Sequence, residues 1–361
     1  MKLHKLVSKN KIPLLILFIG ILLVVVSYGS KLVQGFDSST PYDIVIIAGQ
    51  SNAVGNGLDY FKPHYQGMSR DQIDEPNYNN ANFQNDKNNK SSPSSSDSVR
   101  NNIFMLDGST VRVAKDPITQ FSQSIRNSAH GFGIPFARQY IKEGKNNGNK
   151  VMLLGCAMGS TAYSYYGPAK GGNSDSRHTF GWQEGDSSNS VCNSSNQCSL
   201  YKLAKQRIDT LANAVPANSR VVAILWHQGE NDAEHVSGHE QNYKTGVTTM
   251  LKDLRSYAMT KFPSSTTNFP ILMGGLCKQE ADYYNIMVPI IKDAVNQNSG
   301  ANFRFVPSDD SLKNSVSTFG SELRPNGRQS FGGKVHFSIM GQIELGYRYF
   351  YVFNNNSINL H

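Results

Sequence analysis

The sequence predicts an α/β fold: a central parallel sheet of about five strands with helices on both faces. Three observations carry that expectation. Five apolar runs are continuous rather than alternating, which is how strands buried on both faces read. Amphipathic stretches of helical period separate them. At 361 residues and 39% hydrophobic content, the chain can bury one large core and shows no obvious second one.

The runs are DIVIIAG at 43–49, KVMLLGCAMG at 150–159, RVVAILWHQGE at 220–230, PILMGGL at 270–276 and FRFVPSD at 303–309. Between the second and third, SLYKLAKQRIDTLANAV puts Leu200, Leu203, Ala204, Ile208 and Leu211 on one helical face. Further helices are expected over residues 132–143, 239–257, 281–296 and 338–353. Strand and helix in repeated alternation predict a parallel sheet with crossover helices. Two stretches break the rhythm. Residues 77–102 are dominated by Asn, Ser, Asp and Lys, with too little apolar surface to offset ordering, and residues 171–196 form a second polar insertion. Both sit within one expected domain, residues 42–354, which follows a tether at 31–41 and a leader at 1–30.

The leader contains the apolar run IPLLILFIGILLVVVSY, residues 12–28. Its length lies between the ~7–15 residues of a signal-peptide core and the ~17–25 of a spanning helix, so a cleaved signal peptide and a retained membrane anchor both remain open. Ser27-Tyr28-Gly29 resembles a small-x-small cleavage site. Positive groups cluster before the run and only Lys31 follows soon after, which keeps the amino terminus in the cytoplasm and exports the rest. The globule is therefore expected outside the cytoplasm, secreted or anchored. The formal charge of +8 owes four of its units to Lys2, Lys5, Lys9 and Lys11 ahead of that run. With no basic stripe interleaved with aromatics, nucleic acid is excluded as a partner class.

Four cysteines fit an oxidising compartment. Cys192 and Cys198 bracket a short polar stretch and are expected to close a small loop. Cys156 and Cys277 lie in apolar, strand-like surroundings and read as buried small hydrophobes. No cysteine or histidine grouping has metal-ligand spacing, so neither a metal nor an organic cofactor is expected.

In an open parallel sheet, reactive groups gather beyond the carboxyl ends of the strands. Ser51 comes two residues after Gly49, which ends the first run, within IIAGQSNAVGNG. Taken alone, such a serine is more often a helix-start residue than a nucleophile. A nucleophilic serine needs a base and donors for a developing oxyanion, and other strand ends offer both. The second run ends at Gly159, where a backbone N–H can approach a substrate closely. The third ends in Trp226-His227-Gln228-Gly229-Glu230-Asn231-Asp232, an amide and carboxylates together. His336 precedes the final helix, with Ser338 as its candidate cap. His227 reads equally as a site wall or a satisfied core histidine, and Trp226 and Asp232 as groups that brace the loop.

GQSN, GFGIPFARQYI, WHQGEND and VHFSIMGQIELGYR resemble, in order and spacing, the SGNH-type esterases, in particular the sialate O-acetylesterase and acetyl xylan esterase branch, carbohydrate esterase family six. The stretch NIFMLDGSTVRVAKDPI is similar to that branch as well. The resemblance spans roughly residues 43–353 and implies a flavodoxin-like three-layer sandwich. It implies Ser51 as nucleophile, His336 as general base and then acid, and oxyanion donors in Ser51 N–H, Gly159 N–H and the Gln228 side chain. Gln50 and Asn52, within the same GQSN block, are expected to contact oxyanion or substrate. Many relatives carry aspartate three residues before the histidine, where this chain has Gly333. The histidine-orienting role is therefore assigned to Glu230, with Asp310 and Asp232 in reserve. The activity implied is hydrolysis of O-acetyl esters on carbohydrate through an acyl-enzyme, the partner being an acetylated glycan. The alternatives are a carbohydrate O-acetyltransferase and a non-catalytic carbohydrate-binding protein that retains the fold.

Overall fold

A computed structural model describes residues 39–55, 99–121, 130–163, 180–183, 190–192, 198–278, 281–309, 335–337 and 339–355. The chain divides between Ser39 and Thr40 into two units, the second of which holds every element that follows. The apolar run at 12–28, most of the Asn-rich insertion and most of the polar insertion at 171–196 lie outside the described residues. No helix among the described residues is long and apolar enough to cross a membrane.

All five expected strands form: β1 (Tyr42–Gly49), β4 (Lys150–Ala157), β7 (Arg220–His227), β8 (Ile271–Gly274) and β9 (Phe303–Val306). The sheet nevertheless has seven strands rather than five, in the order β3-β2-β4-β1-β7-β8-β9. The two additions are β2 (Ile103–Asp107), parallel to β4, and β3 (Thr110–Val113), antiparallel to β2. Gly108 supplies the positive-φ corner of the hairpin between them, at φ 61. The other pairings in this sheet are parallel. A small second sheet pairs β5 (Phe180–Gly181) with β6 (Cys198–Ser199).

Every residue of β1 is buried because both faces of the sheet are covered. Ile44, Ile46 and Ala48 join a core with α3 (Leu200–Ala212), α4 (Glu240–Lys261) and α5 (Ala281–Gln297), the helices on one side of the sheet. Val45 and Ile47 join a second core with α2 (Gly133–Lys142) and α6 (Ile339–Asn354) on the other. Side chains of successive strand residues point to opposite faces, so one continuous apolar run feeds two cores. Ser199 caps α3, its Oγ accepting from Lys202 N at 3.3 Å. The disulfide between Cys192 and Cys198 is formed, and Cys156 and Cys277 are free and buried, as the sequence suggested.

At the amino end of the sheet, Asp43 is fully buried and fully bonded. Its carboxylate accepts from Tyr140 Oη at 2.7 Å, Asn149 Nδ2 at 2.8 Å, and Arg220 Nε and Nη2 at 2.8 and 3.1 Å. One side chain thereby ties β1 to β7, to α2 and to the turn before β4.

Candidate active site

Three neighbouring strands, β4, β1 and β7, end at one level: Gly49 pairs with Ala157 on one side and with His227 on the other. A Cβ on Gly49, at φ 136, would lie 2.0 Å from the His227 carbonyl oxygen, so only glycine fits there. Past that point the chains diverge. Gln50 N donates to His227 O at 3.0 Å and Met158 N to Gly49 O at 3.2 Å, which stitches the three departing loops into one rim. The second and third expected strands therefore stop at Ala157 and His227, short of Gly159 and Glu230, because β1 turns into a helix and leaves no ladder to extend.

That helix, α1, runs Ser51–Val54, and its N-cap is Gln50, which makes no side-chain cap bond. Ser51 is therefore the first helical residue, a helix-start position as the sequence allowed, but it is not the N-cap. Ser51 is 6% exposed at the sheet rim. A Cβ placed on Gly159 would meet Ser51 Cβ at 3.9 Å, so the second predicted loop abuts the serine directly. Ser160, next along, holds a positive φ of 57, uncommon for a residue with a side chain.

Asn52 is fully buried and its amide meets four protein groups. Nδ2 donates to Glu230 Oε1 at 2.7 Å and to Val335 O at 3.0 Å. Oδ1 accepts from Phe337 N and from Gln342 Nε2, each at 3.2 Å. Residues 335–337, which contain His336, are thereby held against the loop that carries Ser51. Among the described residues, no hydrogen bond or ion pair joins His336 to Ser51 or to Glu230. Burial pushes the His336 imidazole down to about 4, so it is unprotonated at neutral pH. Asp310, Gly333 and Ser338 lie outside the described residues.

Glu230 is 2% exposed, and burial pushes its carboxyl up to about 7. Bonds from its own backbone N–H and from Asn52 oppose that rise, and the charge on Asp232 adds to it. Among the described residues, Glu230 Oε2 has no hydrogen-bond partner. His227 Nε2 lies 3.9 Å from Glu230 Oε1 and is likewise unpartnered. Tyr349 Oη donates to Trp226 O at 2.7 Å, so at its 3.3 Å contact with His227 the imidazole Nδ1 is the donor. Nε2 is then an acceptor. Burial holds this imidazole down at about 3, so the close approach of His227 and Glu230 is not an ion pair. His227 packs among the rings of Phe132, Phe337 and Tyr349 and backs Glu230 from the core.

Gln228 is also fully buried. Its Nε2 donates to Asp232 Oδ2, and its Oε1 accepts from Tyr243 Oη at 3.1 Å. Asp232 in turn accepts from Tyr163 N at 3.0 Å, consistent with a bracing role. Gln50 is buried with its Oε1 unpartnered. Tyr243, Gln342 and Tyr349 support this rim and were not singled out by the sequence; Gln342 lay inside a recognised block, but nothing in its spacing revealed its contact. No group of three His, Cys, Asp or Glu among the described residues is arranged to hold a metal ion.

Ser51, the segment 335–337 and Glu230 thus meet at one rim of a mostly parallel sheet in an α/β protein. The chain belongs to the carbohydrate esterase, sialic acid-specific acetylesterase family, which it matches over residues 41–355. Among solved structures it is similar to a protein from Arabidopsis thaliana, with 18% identity, a TM-score of 0.53 and coverage of 87% of this chain and 98% of that one. It is similar also to NanS, with 14% identity, a TM-score of 0.53 and coverage of 88% and 98%. At such identities these likenesses speak to the fold alone. No curated protein matches it in sequence.

Proposed function

We propose that this carbohydrate esterase is an exported serine hydrolase that removes O-acetyl groups from glycans through an acyl-enzyme. Ser51 Oγ attacks the acetyl carbonyl while His336 takes its proton. The oxyanion is met by the N–H groups of Ser51 and Gly159 and by the Gln228 amide, and collapse expels the sugar oxygen, which receives the proton from His336. Water then attacks the acetyl-serine, with His336 as base, and releases acetate. Glu230 is the carboxyl that supports His336. The strand order β4-β1-β7-β8-β9 supports the finer assignment of the fold as a flavodoxin-like, three-layer SGNH sandwich. Export rests on the leader sequence.

The observation that carries the reading is the clamp between the two reactive segments: Asn52, adjacent to Ser51, bonds to peptide groups on both sides of His336. The test is acetate release from O-acetylated sialic acid and from acetylated xylan by wild-type protein and Ser51→Ala. The variant is expected to lose at least about 10³-fold in kcat. Equal rates would remove Ser51 from the chemistry, and the better substrate of the two identifies the glycan class.

A further inference from the structure

The geometry points to Asn52 as a positioning residue, the group that fixes His336 and through which Glu230 acts on it, rather than a contact for substrate or oxyanion. This rests on the serine-esterase reading above. A primary amide offers two donor hydrogens and an oxygen with two acceptor sites. Asn52 directs both hydrogens and both sites to protein: Glu230 and Val335 on one side, Phe337 and Gln342 on the other. Nothing is left over for an oxyanion. The peptide groups preceding and following His336 are pinned by the two ends of one planar amide, which sets the direction in which the imidazole leaves the backbone.

Glu230 makes no direct bond to His336, yet it fixes the Asn52 amide at 2.7 Å. Its grip therefore reaches the histidine through Asn52. The amide orientation is dictated as well: Nδ2 faces the Val335 carbonyl and Oδ1 faces the Phe337 N–H, backbone groups that cannot exchange roles, so a flip would make both contacts repulsive. Aspartate, nearly the same size, cannot substitute, because it would oppose an oxygen to the Val335 carbonyl, which can only accept. Because Asn52 follows Ser51 directly, the residue that holds the base is carried on the same turn as the nucleophile.

The test measures, on the full chain, the rate at which a fluorophosphonate labels Ser51, mapped by peptide mass, together with kcat and KM for 4-nitrophenyl acetate. Asn52→Asp and Asn52→Ala are expected to label about 10²-fold more slowly per folded molecule, a cost typical of small misplacement of a reacting group. The fall should sit in kcat, with KM within about threefold of wild type. Gln342→Leu, which removes one of the four bonds, is expected to slow labelling by about threefold to tenfold and keeps the question open to refutation should the Asn52 variants fail to fold. Wild-type labelling rates in folded Asn52 variants, or in Gln342→Leu, overturn the proposal. So does a raised KM with kcat preserved, the mark of a substrate contact. Failure of the wild-type protein to label at Ser51 would instead overturn the serine-esterase reading, and the two failures are told apart by that control.

Discussion

The two ends of the same sheet treat a buried carboxylate in opposite ways. At the amino end, Asp43 receives four hydrogen bonds from Tyr140, Asn149 and Arg220, a charged partner among them. At the carboxyl end, Glu230 is equally removed from water but receives one side-chain bond, from Asn52, and faces a neutral imidazole. Among the described residues, its second oxygen, His227 Nε2 and Gln50 Oε1 have no hydrogen-bond partner. An unpaired buried polar group costs about 1–3 kcal/mol, so a fold shaped by stability alone would satisfy both ends alike. The contrast separates a joint that holds strands together from the rim at which the proposed mechanism places its reactive groups.

The strongest way to break this contrast is Asp43→Ala. Removing one partner of a buried, bonded pair leaves the Tyr140 hydroxyl and the Arg220 guanidinium uncompensated, with an expected loss of about 4 kcal/mol in urea unfolding. kcat per folded molecule should not change, because the site lies at the far end of the strands. A large loss of kcat at unchanged stability would reverse the assignment of the two ends.

Glu230→Gln should do the opposite, with a smaller effect on stability. The folded-state carboxyl titrates near 7 rather than at its ordinary 4.5, so between those values the folded protein holds a proton that the unfolded chain has lost. Stability contributed by this group therefore falls as pH rises through that window. The variant should gain up to about 3 kcal/mol over wild type at pH 8 and nothing below pH 4.5. The difference between the proteins isolates this group from His227 and His336, whose lowered values act in the reverse sense, costing stability as pH falls below the ordinary imidazole range. Over the same comparison kcat should fall by about 10–100-fold, as a displaced base requires. A variant that is less stable at pH 8, with its full rate, would make Glu230 another Asp43.

How far the sequence could anticipate this arrangement depended on the range of the interactions involved. The five parallel strands were legible because each lies in a continuous apolar run bounded by turn residues, and the helices because their apolar faces repeat. β2 and β3 were missed: β2, although apolar, follows the Asn-rich stretch rather than an amphipathic one, so no alternation of strand and helix marks it, and β3 lies at the sheet edge with exposed and half-buried residues alternating, which leaves little apolar signal. At the site, the blocks around Ser51, Gly159 and Gln228 could be placed at strand ends, and the register of β4, β1 and β7 brings those ends together. The task of Asn52 could not be read locally, since its partners lie 178 to 290 residues away. The state of His227 depended in the same way on Tyr349, 122 residues further along.

In the proposed mechanism the hydroxyl of Ser51 carries the acetyl group during turnover. This step is tested most directly by acid-quenching the protein while it consumes an O-acetylated sugar and mapping the acetylated peptide. Acetyl is expected on Ser51, accumulating in the first turnover and released as acetate. Acetyl found reproducibly on a different side chain, with Ser51 unmodified while product forms, would contradict it.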